Sequence, residues 1–236
     1  MINQETKLVL HDAYFYDVEA CYPTIMANVN YDLDGFKLGD KAARNVQIGK
    51  AQSGNENLSS YLMNSADKLL EFYLQDNDVK PDEILVTQRD GFILTRLISN
   101  DDQFIQIKLR GLINYLIFTP DRKKFLYLCD DVIEVRGMPK RYPQLDLIYN
   151  MFKNLNLYNK KYLFRQMGMI KNAVVECKDL SLFMIPSGNE HIVITKDAGP
   201  IKILGASFCR IEDVNTYEYY DHFFKPFLES LYLEYY

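Results

Sequence analysis

Two acids carry the chemistry this sequence could perform: Asp17 in "AYFYDVEACYP" and Asp90 in "TQRDGFIL". Each stands at the end of an apolar, strand-forming run, where burial normally excludes a charge. Singly, each has an ordinary explanation as a helix cap or a turn residue, and Asp followed by Gly is common hairpin chemistry. Delivered together from adjacent strands of one sheet, they could share two divalent cations. Nucleotide transfer from a triphosphate to a 3′-hydroxyl uses such a pair, roughly 3.5–4 Å apart. One ion activates the hydroxyl and the other neutralises the leaving pyrophosphate. A lysine and the backbone N–H groups of a helix start would hold the triphosphate, and Lys41 opens a helical stretch.

Those acids need a framework. "KLVLHDAYFYDVEA" reads as an extended segment that turns at Pro23, with "TIMANV" continuing helically. "DLDGFKLGD" is loop-like. From Lys41 to Leu74, the residues Leu58, Tyr61, Leu62, Leu69, Leu70 and Tyr73 recur at spacings of three, four and seven, which predicts helix. Gly49 and Gly54 divide it in two. "KPDEILVTQRDGFILTRLI" predicts a tight hairpin closed at "RDG". "DQFIQIKLRGLINYLIF" and "KKFLYLCDDVIEVRGM" add strands, and "PQLDLIYNMFKNLNLYNKKYLFRQM" an amphipathic helical region. A further hairpin is expected in "SLFMIPSGNEHIVITKDAGPIKILGA". A last helix, "TYEYYDHFFKPFLESLYLEY", bears an aromatic face whose main role is core packing.

At 236 residues and 48% hydrophobic, the chain can bury a sizeable core in one or two domains. The longest apolar run, near "LINYLIF", is about a third of the ~20 residues that a membrane span needs. The N-terminal stretch lacks the pattern of a signal peptide, which predicts a cytoplasmic protein without membrane partners. Cys21, Cys129, Cys177 and Cys209 form no C-x-x-C pair, so reduced, packed thiols are expected. A net charge of −5 argues against a surface coated by nucleic acid. It still allows local basic islands at "DRKKF" and "RGMPKRYP".

The motifs resemble those of family B DNA polymerases. "DVEACYP" is similar to the family's D-x-x-S-L-Y-P element through Asp17, Tyr22 and Pro23. "KAARNVQIGK" resembles K-x-x-x-N-S-x-Y-G through Lys41, Asn45 and Gly49, and "TQRDG" resembles D-T-D-S through Asp90. "RKKFLYL" is similar to the palm K-K-x-Y element, with Lys123 and Lys124. "IEVRGMPKR" resembles the segment leading into the thumb, with Arg136, Lys140 and Arg141 as further DNA contacts. "YEYYDHFFKPFLESL" resembles the closing thumb helix. Each element alone is weak; their order along nearly the whole chain is specific.

The resemblance implies an α/β (α+β) fold. A mainly antiparallel palm sheet backed by helices would occupy 1–138, with very short fingers, and a helix-rich thumb 139–236. It implies that Asp17 and Asp90 bind two Mg²⁺ ions, that Tyr22 packs under the incoming sugar and selects deoxynucleotides, and that Lys41, Asn45 and Gly49 form the triphosphate pocket. Lys123 and Lys124 would grip phosphates of the primer-template without reading sequence. The implied activity is template-directed DNA synthesis by a minimal palm and thumb, as in one chain of a split viral or phage polymerase. Its exonuclease and other parts would be separate subunits, since no room for that domain precedes residue 12. Departures are plain: Gln88 replaces the first aspartate of D-T-D-S, and Ile48 replaces a tyrosine. Ala20 and Cys21 replace serine and leucine, and only 24 positions separate Asp17 from Lys41. The alternatives are a palm that no longer catalyses and serves replication proteins or primer-template DNA, and an unrelated cytosolic α/β protein.

Overall fold

A computed structural model describes residues 2–18, 21–28, 40–88, 91–98, 107–138, 143–204 and 209–236. The expected loop in "DLDGFKLGD" lies almost entirely outside them. The chain is mixed α/β, with a six-stranded and a three-stranded antiparallel sheet. It packs as two compact units: 1–5 with 13–111, and 6–12 with 112–236.

Strand β1 (Val9–Val18, in the first unit from Ala13 onward) alternates, so that Tyr16 and Val18 are buried while Asp17 projects to the other face. Helix α1 (Cys21–Asn28) starts before Pro23, not after it. Proline fits a first helical turn because the N–H groups there have no intrahelical acceptor. Helices α2 (Lys41–Ser53) and α3 (Glu56–Asp76) divide at Gly54 alone; Gly49 lies inside α2. Asn55 caps α3, its side chain accepting the Leu58 N–H at 3.0 Å. Leu58, Leu62, Ala66, Leu70, Tyr73 and Leu74 form the buried stripe, whereas Tyr61, expected there, is exposed. The predicted hairpin is β2 (Ile84–Thr87) with β3 (Gly91–Leu94). Phe92 of β3 stacks on Tyr16, and α3 covers that face through Tyr73.

In the second unit, β4 (Ile107–Phe118, shared with the first from Ile107 to Gly111) pairs with β5 (Phe125–Cys129), which pairs with β6 (Val132–Arg136). The strand order of the larger sheet is β2-β3-β1-β4-β5-β6. The amphipathic region resolves into α4 (Pro143–Tyr149), a 3₁₀ turn over Asn150–Asn154 and α5 (Lys160–Val175). The expected single hairpin downstream is a three-stranded meander of β7 (Ile185–Ser187), β8 (Glu190–Thr195) and β9 (Gly199–Ile203). The last helix is two, α6 (Thr216–Phe223) and α7 (Lys225–Tyr235), because Pro226 cannot continue the hydrogen-bond ladder. Tyr219, Phe223, Phe224 and Phe227 are buried in one core with Tyr149 and Phe152, as their apolar area demands. Tyr232 remains partly exposed. Cys21 is buried and the other three thiols are half-buried, none in a disulfide.

Candidate functional site

Asp17 sits near the end of β1, directly opposite Gly91 in antiparallel register with β3. The two strands approach so closely there that a Cβ on Gly91 would stand 2.5 Å from the Tyr16 carbonyl oxygen. Glycine is required by this contact; Gly91 is absent from the residues with left-handed φ. The hairpin closes when the Gln88 N–H donates to the Gly91 carbonyl at 2.7 Å. Strand β1 therefore presents one predicted acid beside the turn whose sequence carries the other. Asp90 itself lies outside the described residues.

Asp17 has a partner that sequence reading did not name. Arg110, on β4, donates from Nε at 2.9 Å and from Nη2 at 2.5 Å to the same oxygen, Oδ2. The Asp17 side chain is 22% exposed and Arg110 41%. A half-buried carboxylate is thus compensated by a guanidinium from the neighbouring strand, which answers why an acid is tolerated here. A signal existed: Lys108, Arg110 and Asn114 recur at even spacing in "IKLRGLIN", placing cations on one face of a strand. They stand within a strand whose far half is apolar and buried. Beside Asp17, the Tyr16 hydroxyl accepts the Ile98 N–H at 2.8 Å, and burial pushes the phenol pKa up, so that it stays protonated.

Asp17 fits a hard cation by donor chemistry, since carboxylate oxygen is what Mg²⁺ takes, and Oδ1 accepts no hydrogen bond from the described residues. Among those residues, no group of three His, Cys, Asp or Glu side chains converges to hold a metal.

The nucleotide-binding candidates scatter by environment. Tyr22 packs, partly buried, against the core of the first unit. Lys41 is the first residue of α2, behind Asp40, whose side chain accepts the Ala43 N–H at 3.1 Å; the Lys41 side chain lies outside what is described. Asn45 is exposed, and a Cβ on Gly49 would meet nothing within 4 Å, so these two share an open side of α2. Ile48 is 4% exposed and packs in the core of the first unit, as an aliphatic side chain should.

The basic candidates Lys123, Lys124 and Arg136 do come together. Phe125 pairs with Arg136, and Gly137, at φ +77°, brings its backbone to the Lys123 carbonyl and Lys124 Cα. A Cβ there would stand 2.5 Å from that carbonyl. Each cation has a local acceptor: Lys123 lies 4.0 Å from Asp121, Lys124 3.4 Å from the His222 carbonyl, and Arg136 3.7 Å from Glu134. Lys140 and Arg141 lie outside the described residues.

No family model matches the sequence, and no curated protein matches it. Among solved structures, the chain is similar to the family B DNA polymerase from the hyperthermophilic archaeon Pyrobaculum calidifontis. The TM-score is 0.46 and the identity 11%, covering 98% of this chain and 46% of that one. The chain thus spans about half the length of the polymerase it matches. No described helix is long and apolar enough to cross a membrane.

Proposed function

We propose that this chain is a minimal palm-and-thumb DNA polymerase subunit that extends a primer by nucleotidyl transfer. The observation that carries the reading is the β1–β3 register, which sets Asp17 across from the hairpin bearing "QRDG". Two strands converging at this point are what a shared carboxylate site requires. Asp17 and Asp90 would hold Mg²⁺, whose charge would stabilise the phosphates of the reacting triphosphate. Arg110 holds the Asp17 carboxylate in a fixed orientation. Asn45 and Gly49 leave an open surface on α2 for the nucleotide, with Lys41 at its start. The edge formed by Lys123, Lys124 and Arg136 offers charge to a phosphate backbone, a contact that positions without reading sequence.

A second reading rests on a specific contact. Arg110 occupies Oδ2 of Asp17 with two hydrogen bonds, as would suit a palm that no longer catalyses and serves a replication complex through DNA or protein contacts. Primer extension with Mg²⁺ and deoxynucleotides, alone and with co-encoded replication proteins, separates the two. Incorporation that Asp17→Asn lowers at least a hundredfold supports catalysis. Primer-template binding with no incorporation in any combination leaves the second reading.

A further inference from the structure

From residue 150 to 175 the chain carries five cations, Lys153, Lys160, Lys161, Arg165 and Lys171, and no carboxylate, although 32 of its 236 residues are acidic. On α5, Lys161, Arg165, Gly168 and Asn172 follow at spacings of four, three and four, and all are exposed. Tyr162, 49% exposed, lies beside them. Among the described residues no carboxylate pairs with Lys160, Lys161 or Arg165.

The segment before α5 is built to display one ring. Tyr158 is 90% exposed, yet its backbone is pinned. Asn156 Oδ1 accepts the N–H groups of Tyr158 at 3.2 Å and Asn159 at 3.1 Å. Gln166 of α5 accepts the Asn156 N–H at 2.8 Å and donates to the Asn154 carbonyl. Asn159 caps the helix by accepting the Tyr162 N–H at 3.1 Å. One side of the Tyr158 ring stacks on His11 at 5.7 Å between centroids, tilted by 25°. A rigid loop presenting an aromatic ring to water loses little entropy when something stacks on it.

Gly168 adds a third observation. A Cβ there would meet nothing within 4 Å among the described residues, so no packing there demands a glycine, a poorer helix former than alanine. Its absence of side chain leaves the helix backbone open to close approach from outside.

We infer that this face binds single-stranded nucleic acid, with Tyr158 and Tyr162 as stacking platforms and Lys160, Lys161 and Arg165 along the backbone. Rings interleaved with cations are the recognition chemistry of unpaired strands, because every free base has a π-face. A duplex has its bases already stacked and uses only the cations. A protein partner fits less well, since protein interfaces are depleted in lysine. A membrane surface fits less well too, because the apolar residues Leu163, Ile170 and Val174 of α5 are buried in the core.

The test is fluorescence anisotropy of the full chain with a labelled oligothymidine and with a duplex of equal length, over a salt series. The single strand should bind more tightly than the duplex, and Tyr158→Ala and Tyr162→Ala should each weaken it about tenfold. Tyr158→Phe, which keeps the ring, should restore it. Lys161→Glu with Arg165→Glu should flatten the salt dependence. Equal affinity for both forms, unchanged binding in the ring variants, or no binding by the wild-type chain overturns the inference. The side chains altered are exposed, and thermal melts of each variant check that the fold persists. Primer extension is followed through Asp17→Asn and strand binding through the ring variants, so that loss of the one and loss of the other report on separate readings.

Discussion

Two hairpins of the larger sheet, β5–β6 and β2–β3, both have acids in the sequence of their turns, and their backbones answer different demands. In the β5–β6 hairpin, Asp130 and Asp131 form the two-residue loop between paired Cys129 and Val132, with φ of 46° and 60°. Such a primed turn needs left-handed conformations at both positions, and Asp tolerates them. Both residues are exposed, and no described cation pairs with either. In the β2–β3 hairpin, Gly91 is the first residue of a strand, fixed by contact with the Tyr16 carbonyl, and the carboxylate facing it, Asp17, has its own guanidinium. Turn geometry accounts for the first pair of acids. At the other hairpin, the Asp-Gly signal had suggested a turn glycine, and the glycine is there for strand contact instead.

The widest separation between the two should come from substituting glycine where it is used. Gly91→Ala forces a methyl group against backbone that cannot yield, and should cost about 3 kcal/mol by urea unfolding, with β1–β3 pairing disturbed beside Asp17. A loss under about 0.5 kcal/mol would mean that the strands separate easily, and the close approach would not be a constraint.

Next in size is the charge pair. Arg110→Ala leaves Asp17 half-buried without its counter-charge, and Asp17→Asn leaves Arg110 without its acceptor. A double-mutant cycle should return a coupling of about 1 kcal/mol, above that of an exposed pair and below that of a fully buried one. The coupling should shrink between low and high salt, because screening reaches the 41% exposed guanidinium. Zero coupling would place Asp17 on the same footing as Asp130.

Much of this arrangement was legible from residue pattern, and the failures have physical causes. The apolar run in "AYFYDV" gave the strand, whereas the turning of Asp17 away from the buried face became visible only in the structure. The three- and four-residue spacings gave α3, although Tyr61 proved exposed because its position falls to one side of the buried stripe. Pro226 divided the final helix, and the spacing of apolar residues runs through that break without showing it. Arg110 was missed because the even spacing of Lys108, Arg110 and Asn114 shows only a polar strand face, and nothing local names Asp17, 93 residues away, as its partner. The acid-free run at 150–175 was missed for a different reason: an amphipathic reading attends to the buried stripe and ignores the sign of the exposed one.

A smaller effect separates the turns by conformational cost. Asp131→Gly relieves a left-handed residue at φ 60° and should stabilise the chain by about 0.5 kcal/mol, the gain being reduced by glycine's freedom in the unfolded state. Removing a glycine instead, in Gly91→Ala, is the largest loss above. Opposite signs for the two would establish that the glycines and acids of the two hairpins answer different demands; equal signs would erase the distinction.

The smallest expected effect concerns the turn that leads into β5 and displays Lys123. Thr119 donates its hydroxyl to Asp121 Oδ1 at 2.6 Å, and the Lys123 N–H donates to the same oxygen at 3.2 Å. The Thr119 bond is the main reason that the Asp121 carboxyl titrates below its ordinary value of 3.8, with the Lys123 N–H adding to it. A depressed folded-state pKa stabilises the protein above the unfolded value and loses that contribution as the pH falls through the folded one. Asp121 is more than half exposed, so screening limits the effect to a few tenths of a kcal/mol. Asp121→Asn, which keeps the shape and removes the charge, should be less stable than wild type by that amount at pH 7. The difference should close as the pH drops below the ordinary value of 3.8 and on through the lowered one, where the wild-type carboxyl takes up its proton. A gap that is constant across this range would assign the turn's stability to hydrogen-bond geometry alone, and the charge on Asp121 would then have no part in holding Lys123.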